Sequence, residues 1–129
     1  MSQPQTPPPQ STDVLTIERR GDIMIVTANP ELEMSGEGLE EMAAALLVRP
    51  LEKQLEPVVL FDLSHVNYFG SVFLAILIRC WKIIRAKSGT MVLAGVSAHA
   101  KELLHVTSLD QAWPIYKDRR EALDSLTSD

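Results

Sequence analysis

The chain has one cysteine, Cys80, in 129 residues. A lone thiol excludes an intrachain disulfide and a zinc centre built on a cysteine cluster, and it suits a reducing compartment. Aromatic residues make up only 5% of the sequence, so aliphatic side chains have to build most of the core. Long hydrophobic spans are also missing. The longest strictly apolar run, residues 72–78, stops at Arg79, whereas about 20 apolar residues are needed to cross a bilayer. The opening MSQPQTPPPQ lacks a basic start followed by an apolar stretch, which argues against a secretory signal. Lys and Arg do not gather into a stripe, and the formal net charge is -5. Both features argue against nucleic acid as a partner. The expectation is a cytoplasmic protein with no membrane contact.

Catalytic signatures are scarce too. Gly36 and Gly38 precede a helical pattern, but no third glycine completes a dinucleotide loop, and no Walker sequence exists. His65, His99 and His105 do not have ligand spacing for one metal. Asp62, His65 and Ser71 supply the residue types of a nucleophile triad. The local run Phe69-Gly70-Ser71-Val72-Phe73 is not the G-x-S-x-G elbow that such a triad uses in α/β hydrolases. The sequence therefore predicts a non-enzyme, with no catalytic residue, metal or cofactor. Cys80 sits among Ile78, Trp81 and Ile84 and reads as a buried, inert thiol.

What is present is an alternation of strands and helices. Residues 1–12 hold four of the eight prolines and read as a disordered tail; the folded domain is expected over 13–127. Residues 14–18 and 23–27 read as strands joined by a Gly21-Asp22 turn. A helix is predicted over 36–48, ended or kinked by Pro50, with a short turn through Leu55 continuing in a new direction. Residues 57–63 form an unbroken apolar run ending in Asp62-Leu63, which marks a strand buried on both faces. A loop over 64–70 leads to a helix over 71–87 stopped by Gly89. Residues 91–96 read as another buried strand, and Ser97 as the cap of a helix running to about 106. Residues 112–116 read as an edge strand because of Pro114. Asp118 and Glu121 have capping-box spacing before a closing helix. The pattern predicts an α/β fold, a central mixed sheet of about 4–5 strands flanked by helices.

In such a sheet, functional groups gather where strands end and helices begin. The segment Asn67, Tyr68, Phe69, Gly70, Ser71, Val72, Phe73 is the candidate binding surface. Its apolar members fit either the core or a docking patch. Ser71 fits either a helix cap or a phosphate acceptor, since a phosphate there would meet the positive end of the helix.

The stretch Val58-Val59-Leu60-Phe61-Asp62-Leu63-Ser64-His65-Val66-Asn67-Tyr68-Phe69-Gly70-Ser71-Val72-Phe73-Leu74 resembles the hallmark segment of STAS domains, the anti-sigma factor antagonist family. That family has an apolar strand, Asp-Leu-Ser, and then Asp-Ser-Ser-Gly-Leu opening a helix. Ser88-Gly89-Thr90-Met91-Val92-Leu93 is similar to its glycine turn and strand, and Thr107-Ser108-Leu109-Asp110 to its Thr-Gly-Leu-Asp turn. The resemblance implies a bacterial regulatory module that binds an anti-sigma factor, often a serine-protein kinase of the histidine-kinase-like ATPase type. It also implies that phosphorylation at the position of Ser71 ends the binding, and it leaves a homodimer open. Gly70, Val72 and Phe73 stand where the family has aspartate, serine and glycine, and Ser108 stands for a glycine. Alternatives of the same fold are an unphosphorylated scaffold or adaptor and a small-molecule or nucleotide sensor.

Overall fold

The computed structural model describes residues 10–12, 14–34 and 38–127. Six strands form one sheet in sequence order: β1 (Gln10–Ser11), β2 (Leu15–Arg20), β3 (Ile23–Ala28), β4 (Val58–Asp62), β5 (Thr90–Ala94) and β6 (Ile115–Tyr116). The first two pairings are antiparallel, and the pairings from β3 through β6 are parallel. Counting the two-residue β1, this is one strand more than predicted. Pairing already starts at Gln10, inside the stretch read as tail; residues 1–9 and Asp13 lie outside the described residues. β3 is buried at all six positions, and β4 is buried after its first residue. Unbroken apolar strands of this kind need cover on both faces.

The order of connections supplies that cover. Each new parallel strand is added beside the last, and crossovers of one hand put their helices on one face. That face carries α1 (Leu39–Ala43), α2 (Arg49–Lys53), α3 (Ser71–Ala86) and α4 (Ala98–Val106). They close the larger core, with Leu47, Leu51, Phe61, Phe69, Phe73, Leu77, Leu93, Leu104 and Trp113 among its buried side chains. The closing helix α5 (Arg119–Thr127) turns back over the other face. It seats Ala122 and Leu123 on Ile23, Ile25, Leu60, Val92 and Ala94.

Helical structure runs on through Pro50 to Lys53. A π-helical turn, Ala44–Val48, precedes the proline, which falls in the first turn of α2. The Arg49 N–H donates to Ala44 O, five residues back, so the wider π turn carries the helix past the residue that lacks an N–H. The predicted start at Gly36 lies outside the described residues; α1 begins at Leu39 after a left-handed Gly38.

At the end of α3 the left-handed residue is Ser88, with φ 59°, and not Gly89. Ser88 N–H donates to Arg85 O at 3.1 Å and Gly89 N–H to Ile84 O at 2.8 Å, the paired bonds of a Schellman end. Gly89 is needed for a different reason: a Cβ there would lie 2.2 Å from Pro57 O. Ser88→Gly is therefore expected to stabilise the chain by about 0.5–1 kcal/mol. The relief of the left-handed side chain exceeds the added unfolded-state entropy. A urea titration with unchanged slope checks it.

Candidate functional site

The loop 64–70 begins at the C-terminal end of β4 and delivers the chain to α3. It is pinned at both ends by apolar side chains: Leu63 and Val66 on one side, Phe69 on the other, all buried. Between these anchors Asn67 and Tyr68 are exposed. The Asn67 N–H donates to Glu33 Oε2 at 2.8 Å, on the 3₁₀ turn Pro30–Met34. The Asn67 carbonyl accepts from Ser97 Oγ at 2.5 Å. Ser97 also caps α4 as predicted, its oxygen accepting from Ala100 N–H at 3.1 Å. The Tyr68 ring stacks on His99 with centroids 4.6 Å apart. A shallow groove continues from there along α4, lined by Tyr68, His99, Glu102, Leu103 and Val106.

Ser71 is exposed at the first position of α3. It is not the cap residue, one of the two roles its sequence position allowed. Gly70 occupies that place, with φ -89° and ψ -172°, and contributes no side-chain cap. The helix register is set by the Leu74 N–H bond to Gly70 O, which puts Ser71 one step inside. Its hydroxyl thus stands in solvent beside the unpaired N–H groups of the first turn. Val72, half-buried, borders a groove of about 190 Å³ with Glu40, Ala43, Val48, Ala75, Ile76 and Arg79.

Phe69 and Phe73 correct the expectation of an aromatic docking patch. They are 1% and 2% exposed and pack edge to face, with centroids 5.3 Å apart. Four residues apart, they share one side of the turn into α3, and the apolar core takes both rings. The outward surface of the predicted segment is therefore Asn67, Tyr68, Gly70 and Ser71, with Val72 at its edge.

Asp62 has a role that sequence reasoning missed. It is 3% exposed. One carboxylate oxygen accepts from Ser64 N–H at 3.0 Å and Ser64 Oγ at 2.5 Å. The other accepts from Arg119 Nε at 2.9 Å. The same guanidinium donates to Glu18 Oε2 at 3.3 Å and to Thr27 Oγ1. Thr27 and Asp62 are register partners on β3 and β4, so one arginine spans the strand ends from α5. Burial opposes ionisation of Asp62, but the Ser64 bonds and the Arg119 charge outweigh it and hold the carboxyl below its ordinary value of 3.8. Because the folded value is the lower one, the stabilisation is present above about pH 4. It is lost as pH falls through that lowered value. Asp62→Asn is expected to cost about 2 kcal/mol at pH 7, discounted because Arg119 is partly exposed and keeps Glu18. It should also flatten the acid limb of a stability–pH curve measured in urea. An acidic residue at the end of a buried apolar strand was the available signal, since such residues are buried only when paired. Nothing local pointed to Arg119, which lies 57 residues away.

The three histidines stay apart. His65 is exposed, His99 stacks on Tyr68, and His105 Nδ1 lies 3.0 Å from Asp110 on the surface. Among the described residues no three His, Cys, Asp or Glu side chains gather to hold a metal. Asp62 is engaged by Ser64 and Arg119, not by His65. Cys80 is fully buried, and burial pushes its thiol up to about 12 against a small opposing effect of Arg79. It is inert, as predicted. Among the described residues no helix is long and apolar enough to cross a membrane.

The comparisons with known proteins agree with this architecture. No curated protein is significantly similar to the chain in sequence. Among solved structures, an anti-sigma-factor antagonist (STAS) domain protein from Planctomyces limnophilus superposes with a TM-score of 0.78 at 29% identity. That match covers 88% of this chain and 98% of the other. An anti-sigma factor antagonist from Mycobacterium paratuberculosis matches with a TM-score of 0.69 at 23% identity, over 89% of this chain and 94% of its own. The anti-sigma factor antagonist SpoIIAA in its unphosphorylated form shares the fold, with a TM-score of 0.72 at 12% identity over 88% and 96% of the two chains. The STAS domain family model matches residues 9–122, from before β1 into α5. Sheet order, the Asp62–Ser64 strand end and the helix opened at Gly70-Ser71 all fall inside that match, and the chain belongs to the STAS domain family.

Proposed function

We propose that the chain is a regulatory protein-binding module of the cytoplasm, not an enzyme. It binds an anti-sigma factor that is also a serine-protein kinase of the histidine-kinase-like ATPase type, and so controls sigma-factor-dependent transcription. The contact surface is the exposed part of the loop and helix start: Asn67, Tyr68, Gly70, Ser71 and Val72. Ser71 accepts the phosphate that ends the binding. The observation that carries this reading is the placement of Ser71. Its hydroxyl is exposed at the first position of a sixteen-residue helix, open to a kinase, on the segment that resembles the family's hallmark. A phosphate there adds close to two negative charges to a docking surface without opposing the helix, because the N-terminal end of a helix favours anions. The structural neighbour SpoIIAA is in its unphosphorylated form, which fits a family that carries such a mark.

Incubation of the chain with the candidate kinase and ATP is expected to add one phosphate, seen by intact mass. Ser71→Ala abolishes it, and the phosphorylated chain loses affinity for the kinase. A phosphate elsewhere, or none, rejects the switch. One observation favours the second reading, a constitutive scaffold of the same fold: Gly70 leaves the helix start without the family's carboxylate. That reading predicts tight pairing with a partner that is indifferent to ATP and survives Ser71→Ala.

A further inference from the structure

We propose that Glu33 and Ser97 are positioning residues that hold the loop before Ser71 in its partner-ready conformation. This inference rests on the function proposed above for where the partner binds. Its geometric half is independent of it.

The anchors of the loop leave a gap. Val66 and Phe69 are buried, and of the two residues between them Asn67 projects into solvent while Tyr68 rests only its ring on His99. Apolar packing fixes the ends of this stretch but not its middle. The middle is held through the backbone of Asn67, gripped on both sides. Glu33 takes its N–H at 2.8 Å, and Ser97 donates to its carbonyl at 2.5 Å. The two grips come from elements that are themselves anchored. The Glu33 turn is seated by Leu32, 3% exposed, whose N–H donates to Asn29 O at 2.9 Å. Ser97 is fixed as the cap of α4 through its bond from Ala100 N–H. A carboxylate acceptor makes the first grip a charge-assisted bond, which is stronger than a neutral one. The hydroxyl of Ser97 has a double duty: its lone pair caps the helix while its proton holds the loop.

That double duty provides the test. Ser97→Asp retains the capping acceptor but has no proton to give to the Asn67 carbonyl. Ser97→Thr retains both functions. Glu33→Ala removes the acceptor, and Glu33→Gln keeps one. Amide hydrogen exchange followed by NMR on the full chain reads the loop directly. Ser97→Asp and Glu33→Ala should speed exchange at the Asn67 amide about tenfold and leave the amides of β3, β4 and β5 unchanged. Ser97→Thr should match the wild type, and Glu33→Gln, a neutral acceptor, should fall between the wild type and Glu33→Ala. Unchanged exchange in the loop overturns the proposal. So does a uniform acceleration across the sheet, which would mark a merely structural effect. The second measurement is affinity for the kinase of the Ser71 experiment on a biosensor surface. The two disabling variants should bind about tenfold more weakly, Ser97→Thr normally, and Glu33→Gln between the two. A loosened loop with undiminished affinity overturns the positioning role. A wild-type chain that binds no such kinase defeats the proposed function instead, and the exchange data then decide the grip by themselves.

Discussion

Phe73→Ala is expected to destabilise the chain by about 3–5 kcal/mol and to lower its thermal midpoint by roughly 15 °C. The ring is 2% exposed and lies against Phe69 within the larger core. Removing it strips apolar contacts from the sheet-facing side of α3 and leaves a hole that the first helical turn, tied to the loop, cannot readily close. Calorimetry and a urea titration measure the loss. The same variant separates two views of this residue. A docking patch would lose affinity while keeping its stability. A core residue loses stability, and any loss of affinity follows the unfolded fraction. The structure requires the second outcome, so an unchanged midpoint would contradict the packing described here.

Gly95→Ala is expected to cost about 3 kcal/mol. Gly95 follows β5 with φ 68°, in the left-handed region, where a side chain costs about 1–2 kcal/mol. Space is short as well. A Cβ would lie 2.5 Å from Ser64 Cβ and 2.9 Å from Ser64 Cα, and relieving such overpacking adds about 1–3 kcal/mol. The backbone that would have to yield is that of Ser64, whose N–H and Oγ both bind Asp62. The variant should therefore show two signatures together: a lower urea midpoint, and altered amide shifts through the loop 64–70. A loss of stability with an undisturbed loop would mean that β5 yields and the loop does not.

Much of this architecture could be read from the sequence, and the misses have definite physical causes. The unbroken apolar run at 57–63 announced β4 because a strand covered on both faces cannot alternate. The Ser97 cap and the α3 span were legible because caps and helical periodicity are local. Pro50 marked a break in the regular helix, and the break is a π-helical turn ahead of the proline rather than a stop. Gly89 marked the right spot for the wrong reason. The left-handed position went to Ser88, and the glycine is kept by a close approach to Pro57, 32 residues away. Along the candidate segment, the strand-to-helix junction was legible and the orientation of its side chains was not. Strand-to-helix logic and the family resemblance both led to Gly70-Ser71. Which of Tyr68, Phe69, Val72 and Phe73 would face outward depended on the angle at which α3 leaves the loop. The grips on Asn67 and the Asp62–Arg119 pair join residues 30 to 57 positions apart, beyond the reach of any local pattern.

The order of the sheet has a consequence for how this chain emerges from the ribosome. Each strand pairs with the strand made just before it, so the sheet can lengthen in step with synthesis and seldom has to wait for distant chain. The exception is Arg119. Its bonds to Glu18 and Thr27 bridge 101 and 92 residues. Those contacts can form only after α5 is released, and they tie it back to β2 and β3. Until that moment the face of Ile23, Ile25, Leu60 and Val92 stays bare, so a nascent chain stalled before residue 119 keeps an uncovered apolar face.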